Sequence, residues 1–332
     1  MKNLLIISND KIYFSNSIVS SKYNDIINIL ETTQKKFNIF LLSRRCDYKD
    51  NFSLKKRKIF RFDFKKFFFL RKKKFKVLIV SITPRNIFFY FLLNLFVKNL
   101  KGFVYLRSDG YKEYQTRLGR LGLIIFSLLM RSIKKSFKII SVNKNIKASK
   151  IDHIIYPSEL DESWFKKKKL IKTDIPKLLY LGRFRKDKGV FSLIELFLNT
   201  KYQFQLTIAG DKNYPNLSSK NLKFLNELSN KKEIINLYDN HDIFILPSYT
   251  EGSPKVILES LARRKPVIIF KDIAHVKNKF KGIFICERNS ANLENKIKYI
   301  IQNYQKIQKE MNKNKLITKK HFQKKFINIL ND

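Results

Sequence analysis

Two series of short apolar runs, separated by helix-like stretches, restrict the folds open to this 332-residue chain more than any other feature. Val77–Val80, for example, is apolar at four consecutive positions, as expected for a strand buried on both faces of a sheet. Strands of this kind alternating with helices predict a parallel sheet covered on both sides. We assign the first series of strands to Leu4–Ser8, Asn38–Ser43, Lys76–Ile82, Phe103–Leu106, Phe137–Val142 and His153–Tyr156.

The alternation stops once, in a polar stretch from Pro157 to Pro176, and then begins again. We therefore predict an α/β chain of two Rossmann-like, doubly wound domains that face each other across a cleft. Residues 1–156 form the first domain, 157–176 the linker and 177–332 the second domain, whose last helix either stays there or packs back on the first. The second series of strands is Lys177–Leu181, Gln203–Ala209, Asp242–Leu246, Pro266–Phe270 and Gly282–Cys286.

The net charge of +42 would attract polyanions, either nucleic acid or an anionic membrane leaflet. Codon drift that loads exposed faces with lysine would produce the same charge without a function. Lys55–Lys76 interleaves basic residues with phenylalanine and has three interpretations: a membrane-binding segment, a surface loop with its rings in the core, or a segment that stacks bases. No specific nucleic-acid partner is expected, because no helix-turn-helix or RNA-recognition pattern is visible.

The apolar runs also bear on location. The run at Leu4–Ile7 is too short for a signal peptide, and neither Ile87–Val97 nor Leu121–Met130 is long enough to cross a bilayer. The two cysteines, Cys46 and Cys286, have no nearby cysteine or histidine partner, as expected for reduced thiols. We therefore expect a cytoplasmic protein, peripheral on the cytoplasmic membrane face if Lys55–Lys76 binds lipid.

The stretch Asp242–Phe270 carries the strongest chemical signal. A buried strand ends there and a helix begins, with Ser253 as the expected N-cap and Pro254 as the first helical residue. Backbone amides near Lys255 and Val256, together with the helix dipole, would form an anion site suited to a diphosphate. Two acids flank this helix start. Glu251 precedes it, and Glu259 lies in an apolar helix where a carboxylate is costly unless it is paired or ligand-bound.

A second stretch, Leu178–Gly189, ends another predicted strand at the same edge of the sheet. Gly182 allows the backbone to approach a ligand closely. The cations Arg183 and Lys188 would neutralise the charge on a departing nucleoside diphosphate. The alternative is a solvated basic turn, with Glu251 and Glu259 as an ordinary helix-start acid and a surface acid.

These motifs resemble glycosyltransferase family 4, a group of retaining enzymes with the GT-B fold. The resemblance covers about Pro176–Ile285 and rests on Leu181-Gly182-Arg183 with Lys188-Gly189, Ile208-Ala209-Gly210, Leu246-Pro247-Ser248, Glu251-Gly252-Ser253-Pro254 with Glu259, and Pro266-Val267. It implies that Glu251 contacts the donor sugar, Glu259 the ribose, and Arg183 and Lys188 the diphosphate. It also implies a UDP- or GDP-linked sugar donor and no catalytic metal or other cofactor. The donor-binding residues it implies are Gly182, Arg183, Lys188, Glu251, Gly252, Ser253, Pro254, Lys255, Val256 and Glu259.

The chain departs from the family in three places. Ser8–Lys11 replaces a glycine-rich loop, and Arg263-Arg264-Lys265 stands where a small residue and a glycine are common. No histidine precedes Asp152, although many members present one to the donor sugar. Asp109, after the strand Phe103–Leu106, is the nearest analogue and is either an acceptor-side catalytic residue or a structural turn residue.

We therefore predict a metal-independent, retaining glycosyltransferase of the hexosyltransferase type, with Glu251, Arg183, Lys188 and Asp109 as its catalytic candidates. The acceptor is a saccharide or a lipid-linked saccharide, in surface polysaccharide or lipopolysaccharide synthesis. A sugar-nucleotide epimerase of the same fold and a non-enzymatic polyanion-binding protein are the alternatives. The scarcity of histidine counts against the epimerase.

Overall fold

The computed structural model consists of two compact units, residues 1–156 with 321–332 and residues 157–320. Within Lys55–Lys76, residues 64–67 and 69–73 lie outside the described part of the chain, so the three interpretations of that segment stay predictions. The structure describes residues 2–63, 68, 74–97, 100, 102–133, 137–144, 146, 148, 150–166, 175–211, 214–215, 219–228, 230–277 and 280–332.

The first unit is built on a parallel sheet in the order β5-β3-β1-β6-β7-β8-β9. Strand β1 lies between β3 and β6, so the chain leaves it first in one direction and then in the other, as in Rossmann folds. The strands are β1 Lys2–Phe14, β2 Ile18–Ser21, β3 Phe37–Arg45, β4 Phe52–Lys55, β5 Ile59–Arg61, β6 Phe75–Val80, β7 Gly102–Leu106, β8 Phe137–Ser141 and β9 His153–Ile154.

Strand β1 is longer than the predicted Leu4–Ser8. Its register against β3 shifts between Ile7 and Lys11, and it then continues to Phe14 and pairs with β2 in the antiparallel direction. Strand β4 extends this antiparallel part by pairing with β2. The segment that replaces the glycine-rich loop is therefore extended strand.

Among the described residues of the first 156, three α-helices cover this sheet: α1 Asn24–Thr33, α2 Pro84–Phe96 and α3 Gly110–Ile133. The start of helix α2 is capped: the Thr83 side chain accepts a hydrogen bond from the Asn86 amide, and Pro84 occupies the first turn. Helix α3 is kinked at Gly119, whose φ of 58° lies in the left-handed region.

The second unit repeats the topology with six parallel strands in the order β12-β11-β10-β13-β14-β15. The strand order reverses between β10 and β13, which pair through Leu178 and Ile243. The strands are β10 Lys177–Leu181, β11 Gln205–Ala209, β12 Leu222–Leu225, β13 Ile243–Leu246, β14 Val267–Phe270 and β15 Ile283–Cys286. The helices are α4 Val190–Leu198, α5 Lys231–Asp239, α6 Lys255–Ala262, α7 Ser290–Gln302 and α8 Tyr304–Met311.

Both ends of the second unit differ from the predicted boundaries. Residues 157–166 belong to this unit rather than to a linker, because Leu160 and Trp164 are buried in its core. The last helix, α9 Lys319–Asn331, joins the first unit from His321 onward. Phe326 is fully buried there, with its ring centroid 5.4 Å from that of Tyr105. The last helix thus packs on the first unit, which is one of its two predicted positions, and the second unit ends at Lys320.

The basic triplet after α6 is built into the second unit. Arg263 is buried and donates two hydrogen bonds to the Asp239 carboxylate, at 2.8 and 2.9 Å. Arg264 has a left-handed φ of 56°, at the helix end where family members often have glycine. Lys265 is also buried and donates to the Asp239 carbonyl oxygen at 3.2 Å. Two of the three basic side chains are thus held by hydrogen bonds to Asp239.

Two further features bear on the sequence-based expectations. Cys46 and Cys286 are buried free thiols. Among the helices of the described ranges, none combines the length and the apolar character needed to cross a bilayer.

Candidate active site

Two loops of the second unit meet where the strand order reverses. One follows β10 and the other follows β13. Lys188 Nζ donates to Glu251 Oε1 at 2.7 Å, and the Ser248 hydroxyl donates to the same oxygen at 2.7 Å. The Lys188 and Glu251 side chains are only 19% and 12% exposed. Rossmann-type sheets bind ligands at this position, so the two predicted residues are joined at the expected edge.

Glycines set how closely these loops approach. Gly189 has a left-handed φ of 67°, and a Cβ atom there would lie 1.9 Å from the Pro247 carbonyl oxygen. Gly210 has a φ of 113°, and a Cβ atom there would lie 2.8 Å from the Gly182 carbonyl oxygen. A side chain at Gly189 or Gly210 would push the loops after β10, β11 and β13 apart.

Tyr180 shapes the turn that carries Arg183. This buried tyrosine of β10 donates its hydroxyl hydrogen to the Arg183 carbonyl oxygen at 2.8 Å. Burial, and then the negative charge of Glu251, raise the pKa of the Tyr180 phenol well above its ordinary value, so the phenol stays a neutral donor. The Arg183 side chain itself is exposed at the sheet edge.

Helix α6 begins at Lys255, one residue later than predicted. Pro254 occupies the N-cap position, with extended angles of φ −70° and ψ 114°, and no side chain caps the helix. The assignment of Ser253 as the N-cap is therefore wrong, because the proline takes that position. The helix start still follows β13, so the positive end of its dipole lies at the carboxyl edge of the sheet.

Glu259, one turn into α6, is held by residues from other elements. The buried hydroxyl of Tyr238 on α5 donates to Glu259 Oε2 at 3.1 Å. Burial raises the pKa of Glu259 to about 7, although the Tyr238 hydrogen bond and the Lys255 charge oppose the shift. Lys255 Nζ donates to Glu159 Oε1 at 2.6 Å. The raised pKa means that the charged carboxylate is poorly solvated in this position. Hydrogen bonds from ligand hydroxyl groups would stabilise that charged form.

Arg288 contacts the loop after β13 and holds it by hydrogen bonds and ring contacts. Its guanidinium donates to the Pro247 carbonyl oxygen at 3.0 Å and to Asp272 Oδ2 at 2.7 Å. It also lies 4.1 Å from the Tyr249 ring centroid and 4.4 Å from that of Phe270. Sequence reasoning missed this residue. Its position directly after β15 at the same sheet edge was the one available signal.

His275 was also missed. Its Nε2 lies 3.0 Å from the Glu251 carbonyl oxygen, so the histidine is bound to the backbone of the residue whose carboxylate is bound by Lys188. This contact joins positions 24 apart in the chain, and no local sequence pattern around His275 predicts it.

Asp109 lies in the first unit, at the start of α3. Its carboxylate accepts a hydrogen bond from the Lys112 amide at 3.3 Å, and its carbonyl oxygen accepts one from the Glu113 amide at 3.0 Å. These bonds fit the structural-turn interpretation, and an acceptor-side role remains a prediction. No cluster of three or more His, Cys, Asp or Glu side chains suited to a metal ion occurs among the described residues.

The sequence match to a known protein family lies within the second unit. Residues 161–316 match the family model described as "Glycosyl transferases group 1". The N,N'-diacetylbacillosaminyl-diphospho-undecaprenol alpha-1,3-N-acetylgalactosaminyltransferase of Campylobacter jejuni is 31% identical over 172 residues, 49% of this chain and 44% of that protein. The putative teichuronic acid biosynthesis glycosyltransferase TuaC of Bacillus subtilis is 25% identical over 170 residues, 47% of this chain and 43% of that protein. The chain thus spans less than half the length of these curated relatives.

The structural likeness extends over the whole chain. Anabaena HepE, solved in complex with UDP, superposes with a TM-score of 0.71 at 13% identity, covering 100% of both chains. The fold is GT-B. The predicted fold class, two Rossmann-like doubly wound domains, is confirmed. At this identity the GT-B likeness shows the fold alone, and function has to be argued from the site.

Proposed function

We propose that the protein is a glycosyltransferase that moves a sugar from a nucleotide-sugar donor to an acceptor hydroxyl. The observation that carries this proposal is the Lys188–Glu251 contact at the point where the strand order of the second unit reverses. It brings a cation suited to phosphate and an acid suited to sugar hydroxyls to one place. The family match over residues 161–316 includes both residues.

The roles follow from the positions of the groups. Arg183 and Lys188 would bind the diphosphate, with the amino end of α6 adding its dipole, so charge on the leaving group is stabilised as the sugar bond breaks. Glu251, with Gly252 and Ser253, would orient the sugar, and Glu259 would accept hydrogen bonds from the ribose. A bound diphosphate would share Lys188 with Glu251, which places the sugar-binding acid beside the leaving group.

The donor is proposed to be UDP- or GDP-linked. Anabaena HepE, which shares the fold, has been solved with UDP and with UDP-glucose. This favours UDP as the first nucleotide to test. Retention of configuration, a hexosyl donor and metal independence are proposed from the family 4 resemblance.

The acceptor is proposed to be a saccharide, with a lipid-linked saccharide favoured. The Campylobacter jejuni relative is named for a diphospho-undecaprenol acceptor, and the Bacillus subtilis relative for teichuronic acid biosynthesis. An acceptor of this kind would place the protein on the cytoplasmic face of the membrane, in the synthesis of surface polysaccharide or lipopolysaccharide.

A thermal-shift panel with UDP, GDP and ADP tests the proposal. One nucleotide is expected to raise the Tm, and Arg183→Ala is expected to remove the shift. Lys186→Ala is the matched control, because it removes one exposed cation from the same turn. If no nucleotide raises the Tm while DNA does, the polyanion-binding alternative replaces the proposal. Mass spectrometry of the products formed with the stabilising nucleotide's sugars then identifies the donor.

A further inference from the structure

Helix α2 of the first unit presents an apolar stripe to solvent. Its buried side chains, Ile87, Tyr90 and Leu93, fill the sheet-facing side. On the outer side, positions i, i+3 and i+7 form one helical face. They are all large and apolar: Phe88 is 58% exposed, Phe91 47% and Leu95 77%.

Helix α3 repeats the pattern after its kink at Gly119. Phe126, Met130 and Ile133 are buried in the core of the first unit. The opposite side has the same i, i+3, i+7 spacing, with Leu121 60% exposed, Ile124 58% and Leu128 58%. A helix that covers a sheet in water normally has a polar outer face, so two helices that are apolar on both sides require an explanation.

The two stripes belong to one side of the first unit. Helices α2 and α3 connect three consecutive parallel strands, β6, β7 and β8, and right-handed crossovers in one direction put both helices on the same face of the sheet. The helices also contact each other. We call the six side chains the apolar face: Phe88, Phe91, Leu95, Leu121, Ile124 and Leu128.

The charged side chains of the two helices are basic with a single exception. Arg117, Arg120 and Arg131 of α3 are exposed. Helix α2 contains no acid, and the single acid of α3 is Glu113, in its first turn. Burial of the apolar face against a second copy would bring arginines toward arginines in a protein of net charge +42. Lipid phosphates, in contrast, would pair with every one of them.

We propose that the apolar face binds the surface of an anionic bilayer, with its aliphatic and aromatic side chains at the acyl boundary and its arginines among the headgroups. None of these residues belongs to the segment Lys55–Lys76. The inference extends the proposed function, since a lipid-linked acceptor lies in such a surface, but side-chain exposure and charge carry it without any assumption about the donor.

Flotation with two kinds of vesicle tests the proposal: pure phosphatidylcholine, and phosphatidylcholine mixed with phosphatidylglycerol. The protein is expected to float with the anionic vesicles. The double variant Leu121→Ser/Leu128→Ser is expected to bind them at least about tenfold more weakly, because it removes two side chains from the acyl boundary. The matched control is Leu198→Ser/Tyr299→Ser, which removes two similarly exposed apolar side chains from the second unit and is expected to bind as the unchanged protein does.

The arginines are tested by Arg117→Gln/Arg120→Gln/Arg131→Gln, which is expected to weaken binding to anionic vesicles about a hundredfold at low salt. Thermal unfolding and nucleotide-induced stabilisation of each variant show that both units remain folded, and they keep this test separate from the test of the donor site.

Three results would overturn the inference. In the first, the unchanged protein fails to float with either kind of vesicle. In the second, the Leu121→Ser/Leu128→Ser variant floats as well as the unchanged protein does. In the third, light scattering shows a dimer that this variant dissociates, and the apolar face then contacts a second copy of the chain.

Discussion

The two units share one strand order but differ at the edge where that order reverses. In the second unit, β10 stops at Leu181 and Gly182 begins a turn, so the loops after β10 and β13 present Lys188 and Glu251 at the sheet edge. In the first unit, β1 runs on past the edge to Phe14. Topology creates the same edge twice, and the residues that follow each strand decide whether a ligand can reach it.

The first unit's edge is occupied by an internal ion pair. Asp10 is 8% exposed, accepts a hydrogen bond from the Ser8 hydroxyl at 2.6 Å and pairs with Arg107 at 3.3 Å. Arg107 Nε also donates to the Ser81 hydroxyl oxygen at 3.1 Å. Side chains of β1 and of the residues that follow β6 and β7 thus pair with one another. We infer that this edge stabilises the fold, whereas the second unit's edge binds the donor.

The largest effect is expected at Glu251. Glu251→Gln keeps the shape of the side chain but replaces the charged acceptor of the sugar hydroxyls with a neutral amide, so the sugar is held less firmly in the transition state and kcat should fall by about 10²–10³, or about 3–4 kcal/mol. Affinity for the nucleoside diphosphate should change little. Initial rates of sugar transfer measure the effect, and Glu195→Gln, an exposed acid on α4, is the control. Equal loss in both variants would mean that Glu251 has no special role.

Asp10→Ala is expected to lower the free energy of unfolding of the first unit by about 3 kcal/mol, because it leaves the Arg107 guanidinium without its buried partner. Nucleotide affinity should not change. Urea denaturation followed by circular dichroism gives the first value, and the exposed Asp47→Ala is the control. A fall in nucleotide affinity with unchanged stability would reverse the roles assigned to the two edges.

Glu259→Gln should stabilise the protein in the absence of ligand. The folded-state pKa of about 7 lies above the ordinary value of 4.5, so the folded state binds the proton more tightly and its stability falls as pH rises between these values. The neutral glutamine side chain does not ionise, so the variant does not lose this stability as the pH rises. Its advantage should be on the order of 3 kcal/mol at pH 8 and nearly vanish at pH 4.5.

The comparison for Glu259→Gln is between urea denaturation curves at these two pH values. Its nucleotide affinity should fall, since the amide replaces the acceptor proposed for the ribose. An advantage of equal size at both pH values would show that the pKa of Glu259 is not raised.

The smallest effect is expected at Ser81, which has a left-handed φ of 70° at the first unit's edge. Ser81→Gly relieves backbone strain of about 1 kcal/mol but removes a hydrogen bond from Arg107 of similar size. The free energy of unfolding should therefore change by less than about 1 kcal/mol. A loss of several kcal/mol would mean that the hydroxyl holds Arg107 in place and that the ion pair depends on it.

Sequence reasoning found the second unit's edge because its signals are local. Gly182, Lys188 and Glu251 lie in the loops that follow two predicted strands, and Glu259 lies in the helix predicted after the second of them. The strand Lys177–Leu181 was predicted with the bounds that the structure shows. The strands β2, β4, β5 and β12 were missed because none of them contains a run of four apolar residues, unlike the equally short β13, β14 and β15.

What the sequence did not predict depends on contacts between distant positions. The Asp10–Arg107 pair joins residues 97 apart, and the choice between the two predicted positions of α9 depends on where Phe326 is buried. The Ser253 cap failed for a local reason, since a serine beside a proline fits two positions of the helix start that differ by one residue.

The most direct test of the account is the Kd of the stabilising nucleoside diphosphate, measured by isothermal titration calorimetry for Lys188→Ala and Lys11→Ala. Each variant removes one lysine, the first from the second unit's edge and the second from an exposed position on β1 in the first unit. The account predicts that Lys188→Ala weakens binding about thirtyfold, as expected for a lost charge-assisted phosphate contact, and that Lys11→Ala leaves it unchanged. Equal weakening in both variants, or none in Lys188→Ala, would contradict the claim that the diphosphate binds between the loops after β10 and β13.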